Sequence, residues 1–167
     1  MMNIQALGLL PEDMYLRRNA ELFLYGEDEI LPLFKVDGAL FFPGAAAGAK
    51  ELLQRSGRPF IDFSEGDFKP DLLYTEYLDY LRSAPRTNYQ PIACNFYDNF
   101  EAAIVQRRVV ELTYLNVDGS LVDQETLLRD LKTHRTEEFV QLASGEWLRL
   151  DRIVSVDGIV AGESCSF

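Results

Sequence analysis

The sequence predicts an α+β chain in two parts. A small α+β domain spans residues 1–86, and a short helix followed by a strongly bent antiparallel sheet or small barrel spans 87–167. Three observations carry this reading. Hydrophobic spacing changes from helical to alternating just after Gln106. Turn signals, Asp118-Gly119 and Ser144-Gly145, then recur at short intervals. Between the parts lies a polar seam, Ser83-Ala84-Pro85-Arg86-Thr87-Asn88, whose proline stops the preceding helix because the residue before a proline is pushed out of helical geometry.

In the first part, Pro11 followed by Glu12 and Asp13 predicts a helix start, since proline suits the first helical position and acids suit the positive dipole end. Phe23 to Tyr25 predicts a short strand. Leu31–Val36 and Ala39–Phe42 flank Asp37-Gly38, a dipeptide that tolerates positive φ, and predict a hairpin. Ala45 to Arg55 predicts a helix capped by Gly57, and Phe60 to Phe63 a strand. Asp71 to Arg82 sets Leu72, Leu73, Tyr77, Tyr80 and Leu81 at helical intervals. The phenylalanines Phe41, Phe42, Phe60, Phe63 and Phe68 are expected in a core more than at an interface. Self-association through this part is the competing use for them.

In the second part, Tyr89 to Ile92 reads as extended, and Phe96 to Gln106 as a helix with Phe100, Ala103 and Ile104 turned inward. Val110, Leu112 and Tyr114 alternate with Glu111 and Thr113, one apolar face of a strand. Further strands are predicted at Ser120–Leu128, Glu138–Leu142, Trp147–Leu150 and Ile153–Val156, with Leu148 and Leu150 facing inward.

Composition removes several classes of function. The chain has 167 residues, 16 Lys+Arg against 27 Asp+Glu, and a formal net charge of −11. Both parts are acidic, which argues against generic nucleic-acid binding, because neutralising phosphates takes excess cations. Two cysteines exclude a disulfide-framed scaffold and fit a reducing cytoplasm. No apolar run nears the ~18–20 residues of a membrane span, and no signal-peptide pattern opens the chain.

Enzyme and cofactor motifs are likewise missing. Gly44-Ala45-Ala46-Ala47-Gly48-Ala49-Lys50-Glu51 imitates a phosphate loop, but the glycine spacing is one short, Ala49 separates Gly48 from Lys50, and Glu51 stands where a hydroxyl is needed. A lone His134 cannot build a multi-histidine metal site, and no Cys-x-x-Cys occurs. His134 is also the only histidine base for Cys94 or Cys165. Cys94 is expected to pack as a small residue. The expectation is a non-enzymatic protein with neither cofactor nor metal.

One set of residues is specific. Tyr89-Gln90-Pro91-Ile92, Cys94 and Tyr97-Asp98-x-x-Glu101 are followed by Asp130-Leu131, Glu138-Phe139, Ser144-Gly145-Glu146 and Leu148-Arg149-Leu150-Asp151-Arg152-Ile153. In that order and spacing they resemble Rof, the Rho-binding antiterminator family, over residues 88–158. The closing run is also similar to WYL regulatory domains, but the upstream elements favour Rof. The resemblance implies an Sm-like fold for the second domain. It also implies binding to the transcription terminator Rho, a hexameric RNA helicase, so that RNA cannot load. It places the docking surface on a helix, at Tyr97, Asp98 and Glu101, and on a strand-connecting loop, at His134, Arg135 and Thr136. The loop departs from the more basic, amide-bearing pattern of enterobacterial members. Arg149 and Asp151 are expected to be structural. The alternatives are an Sm-like nucleic-acid binder, against which the domain's acidity weighs, and a WYL-like ligand-sensing module. For the first domain the sequence suggests no family.

Overall fold

Ala39 to Phe42 is apolar without alternation, the pattern of a strand covered on both faces. The computed structural model describes residues 2–11, 17–18, 22–27 and 32–162, and in it residues 39–42 are all buried. The chain divides into two compact units, Met1–Asn88 and Tyr89–Phe167. In the first unit five strands, β1 (Met2–Leu7), β2 (Arg17–Arg18), β3 (Leu22–Glu27), β4 (Gly38–Phe41) and β5 (Phe60–Asp62), form one sheet in the order β2-β3-β1-β4-β5. β1 runs parallel to β3 and β4, and β4 parallel to β5; only β2 is antiparallel to its neighbour.

The hairpin expected across Asp37-Gly38 is therefore not formed. Leu33–Lys35 is a single 3₁₀ turn. Asp37 is buried, and its carboxylate accepts the Asn3 N–H at 2.9 Å and faces Arg86 at 3.5 Å. The side chain that tolerates a tight turn is used instead to lock β4 beside β1. The helix start expected at Pro11-Glu12-Asp13 has its acids outside the described residues, as do Leu31 and Cys165.

Helix α1 (Ala47–Ser56) ends as expected at Gly57, whose φ of 71° is left-handed. Glycine is required there twice over, because a Cβ would lie 2.6 Å from the Asn88 nitrogen. The helical stretch expected over 71–82 is made of three kinds of turn: 3₁₀ at Pro70–Leu72, π at Leu73–Tyr77, and α2 at Leu78–Ser83. The wider π turn re-phases the apolar stripe onto Leu73, Leu78 and Leu81, and leaves Tyr80 54% exposed. Phe42, Phe63 and Phe68 pack mutually at 5.1–5.8 Å between ring centres, with Tyr77 4.8 Å from Phe63. The phenylalanines thus pack within the first unit.

Two polar devices hold this unit. The buried Arg58 guanidinium donates to the carbonyls of Val36 (2.8 Å), Leu33 (2.8 Å) and Arg86 (2.5 Å). Nearer the surface, Lys50 Nζ donates to Asp62 Oδ2 at 2.5 Å, and the Ser64 N–H to Asp62 Oδ1 at 2.9 Å. The hydrogen bonds from Lys50 and Ser64 pull the Asp62 carboxyl down from 3.8 to about 2. A folded-state value below the unfolded one means a contribution present above about pH 4 and lost as pH falls towards about 2. The stability difference between wild type and Asp62→Asn, from urea titrations, is expected to shrink across that window. Asp62 is 39% exposed, so solvent screening keeps the difference small.

The second unit opens with α3 (Cys94–Gln106), followed by β6 (Val109–Leu115), β7 (Leu121–His134), β8 (Glu137–Leu142), β9 (Trp147–Arg149), β10 (Ile153–Val156) and β11 (Ile159–Val160). They form a six-stranded antiparallel sheet ordered β11-β10-β6-β7-β8-β9. β7 outruns its expected end at Leu128 by six residues. Its first half pairs with β6 and its second with β8, with a register shift between Leu128 and Asp130. That bulge lets one strand serve both sides of a bend. Phe96, Phe100 and Ala103 of α3 pack on Val110, Leu112, Leu128, Val140, Leu148 and Ile153. No helix among the described residues is long and apolar enough to cross a membrane.

Candidate functional site

Helix α3 exists because Phe96, Phe100 and Ala103 recur at i, i+4 and i+7 and bury one stripe completely. The same periodicity sends Asp98 and Glu101 to solvent, and both are exposed. Neither side chain makes a hydrogen bond or ion pair among the described residues. Asp98 lies beyond the first turn, which holds no acid, so the helix dipole gains little from it. Tyr97 is half-buried beside this face and packs against the core. Burial, then the charges of Glu101 and Glu138, push its phenol above its ordinary value.

His134, Arg135 and Thr136 lie at the β7–β8 connection. His134 is the last residue of β7, opposite Glu137, and is half-buried rather than a free loop residue. Arg135 and Thr136 form the exposed two-residue turn, Arg135 at a left-handed φ of 55°. Glu138, two residues past the turn, carries a charge that acts on Tyr97 as Glu101's does. The arrangement is a carboxylate-bearing surface. Among the described residues no group of three His, Cys, Asp or Glu side chains is placed to hold a metal ion.

Behind this surface lies a network of which the sequence predicted only that Arg149 and Asp151 are structural, not the burial or the partners. Arg149, expected to point outward in alternation with Leu148 and Leu150, is 4% exposed. Its guanidinium faces buried Glu137 at 3.2 Å and grips both Asp151 oxygens at 2.7 and 2.9 Å. The Tyr89 ring lies 5.6 Å from the same guanidinium, and its hydroxyl donates to Glu138 at 2.7 Å. Burial, and next the bond to Glu138, raise the Tyr89 phenol far above its ordinary value. Asp151 also accepts the Gln90 N–H at 3.2 Å. The extended segment at Tyr89 and Gln90 is thereby clamped to the sheet, and Glu138 is held in place. The only signal in the sequence was the recurrence of Tyr89, Glu138, Arg149 and Asp151 in the motif itself. Cys94, expected to pack as a small residue, is instead exposed at the first position of α3.

No family model matches the chain, and no curated protein matches it. Among solved structures the chain is similar to Proteasome accessory factor B/C (PafBC) of Arthrobacter aurescens, with 18% identity and a TM-score of 0.35. The match covers 44% of this chain and 13% of that one, so it spans a small fraction of the larger protein.

Proposed function

We propose that this chain is a non-enzymatic transcription regulator that binds the termination factor Rho and occludes its RNA-binding sites, with an Sm-like second unit as the docking module. The observation that carries the reading is the pair Asp98 and Glu101, exposed and unpaired among the described residues on a helix whose opposite side is locked by Phe96 and Phe100. A groove that holds RNA phosphates is cationic and rewards carboxylates. Carboxylates on a rigid element lose little freedom when they meet its arginines. A short helix followed by a bent antiparallel sheet supports the Sm-like reading. In this scheme Tyr97, Asp98 and Glu101 are the first contact, and His134, Arg135 and Thr136 are the second.

The test is co-elution of the full chain with the cognate Rho at low salt. Reversing one carboxylate replaces attraction with like-charge repulsion, which costs several kcal/mol at a docked interface. Glu101→Lys is therefore expected to weaken binding by about a hundredfold or more and abolish co-elution. Its urea midpoint should stay near wild type, as for other surface changes. Wild-type co-elution of the charge-reversed protein would remove the α3 face from the interface.

A further inference from the structure

A second surface, of opposite character, lies at the other end of α3. The helix C-terminus and the bend of β7 enclose an open groove of about 520 Å³. Buried Leu128, half-buried Ile104 and exposed Val105 and Leu127 supply its apolar lining, and Arg107 and Arg129 its charged positions.

Both arginines occupy irregular backbone. Arg107 takes the left-handed cap position of α3 with a φ of 52°, where glycine would be unstrained. A cation elsewhere in the last turn would complement the helix dipole without that conformation. Arg129 sits at the β7 bulge, between the residues where the register shifts, and bulges re-aim side chains. Neither guanidinium has a carboxylate partner among the described residues. That is contrary to the trend of a chain with 27 acids against 16 bases. The paired cations Arg55, Arg86, Arg108 and Arg149 show the usual outcome.

We propose that this groove docks a short segment of a partner protein with acidic side chains around an apolar centre. Charge complementarity sets the acids against Arg107 and Arg129. Val105 in the lining is 82% exposed, and the apolar surface continues outside the groove onto Val109, 57% exposed and paired across the ladder with Leu127. A small anion would leave these wet, whereas a peptide segment covers them. The groove lining includes no aromatic ring for base stacking, which disfavours single-stranded nucleic acid. The site does not depend on Rho binding and carries the opposite charge.

The test uses the full chain and three fluorescein-labelled peptides of about twelve residues, long enough for an amphipathic helix to present anchors over several turns. One has leucines at helical spacing among glutamates, one replaces Glu by Lys, and one replaces Leu by Ser. In fluorescence anisotropy the acidic leucine peptide is expected to bind at least about tenfold tighter than either twin. The double variant Arg107→Gly/Arg129→Gln is expected to lose that binding at least about tenfold without a lower thermal midpoint, since Gly relieves the cap. The Asp98 and Glu101 face should be indifferent, so Glu101→Lys binds the peptide as wild type does. Equal binding of the lysine twin, an unaffected double variant, or no binding of any peptide overturns the proposal. So does oligouridine binding lost in the double variant, or dimerisation lost in it, which would assign the groove to nucleic acid or to a second copy.

Discussion

Arg149→Ala is expected to destabilise the second unit by about 3–5 kcal/mol, the cost of leaving a buried ion pair half-empty. Both Arg149 and Glu137 have side chains only 4% exposed, and alanine would remove the buried guanidinium that Glu137 faces. It would also release Asp151, and with it the bond to the Gln90 N–H. Urea unfolding followed by tryptophan fluorescence measures this directly, because Trp147, the single tryptophan, stands in β9 two residues from Arg149. The double change Glu137→Leu/Arg149→Met should recover part of the loss, since it removes the Glu137 charge with that of Arg149 but still leaves Asp151 without its guanidinium. A single variant as stable as wild type would mean that solvent reaches Glu137. The same substitution bears on the proposed partner binding, because Tyr89 and Glu138 belong to the network around Arg149 and Glu138 acts electrostatically on Tyr97.

Arg58→Ala is expected to have a comparable effect on the first unit, about 3 kcal/mol or more, for a different reason. The Arg58 guanidinium holds three backbone carbonyls, those of Leu33, Val36 and Arg86. Each buried acceptor left without a donor costs about 1–3 kcal/mol, less where water enters the space. Arg58→Lys should rescue only part, because an ammonium is a compact point charge and not a planar fork. Loss of stability should be seen in urea titrations of the Tyr and far-ultraviolet signals. A cost below about 1 kcal/mol would show that these carbonyls are rehydrated without penalty.

The elements of the second unit were legible because the sequence changes period and its turns carry Gly. Gly119 and Gly145 do take positive φ, at 82° and 92°. The end of β7 was not legible, because Arg129 to His134 holds one apolar residue, Leu131, and the strand there is mostly exposed. Pairing with β8 keeps it extended where its own pattern does not. In the first unit β1 went unread, since Asn3 and Gln5 interrupt its apolar residues, yet Gln5 is fully buried. Asp37-Gly38 misled because turn propensity is local, whereas the carboxylate's partners, Asn3 and Arg86, are distant in sequence. For the candidate site, the exposure of Asp98 and Glu101 followed from the phenylalanine stripe. The burial of Arg149 did not, because alternation alone assigns it to solvent, and the carboxylates of Glu137 on the neighbouring strand and of Asp151 make burial tolerable.

Residues 86–90 make the seam a poor place for arbitrary dissection. The Arg86 carbonyl is held by Arg58, and Asn88 donates through its backbone to Ser56 and through its side chain to Arg55. From the very next residue, Tyr89 and Gln90 are tied to Glu138 and Asp151. Any expression fragment that begins or stops at Pro85 would strip a stabilising acceptor from one side and append a ragged tail to the other. The peptide bond joining Asn88 to Tyr89 is the cleavage point that spares every one of these tethers.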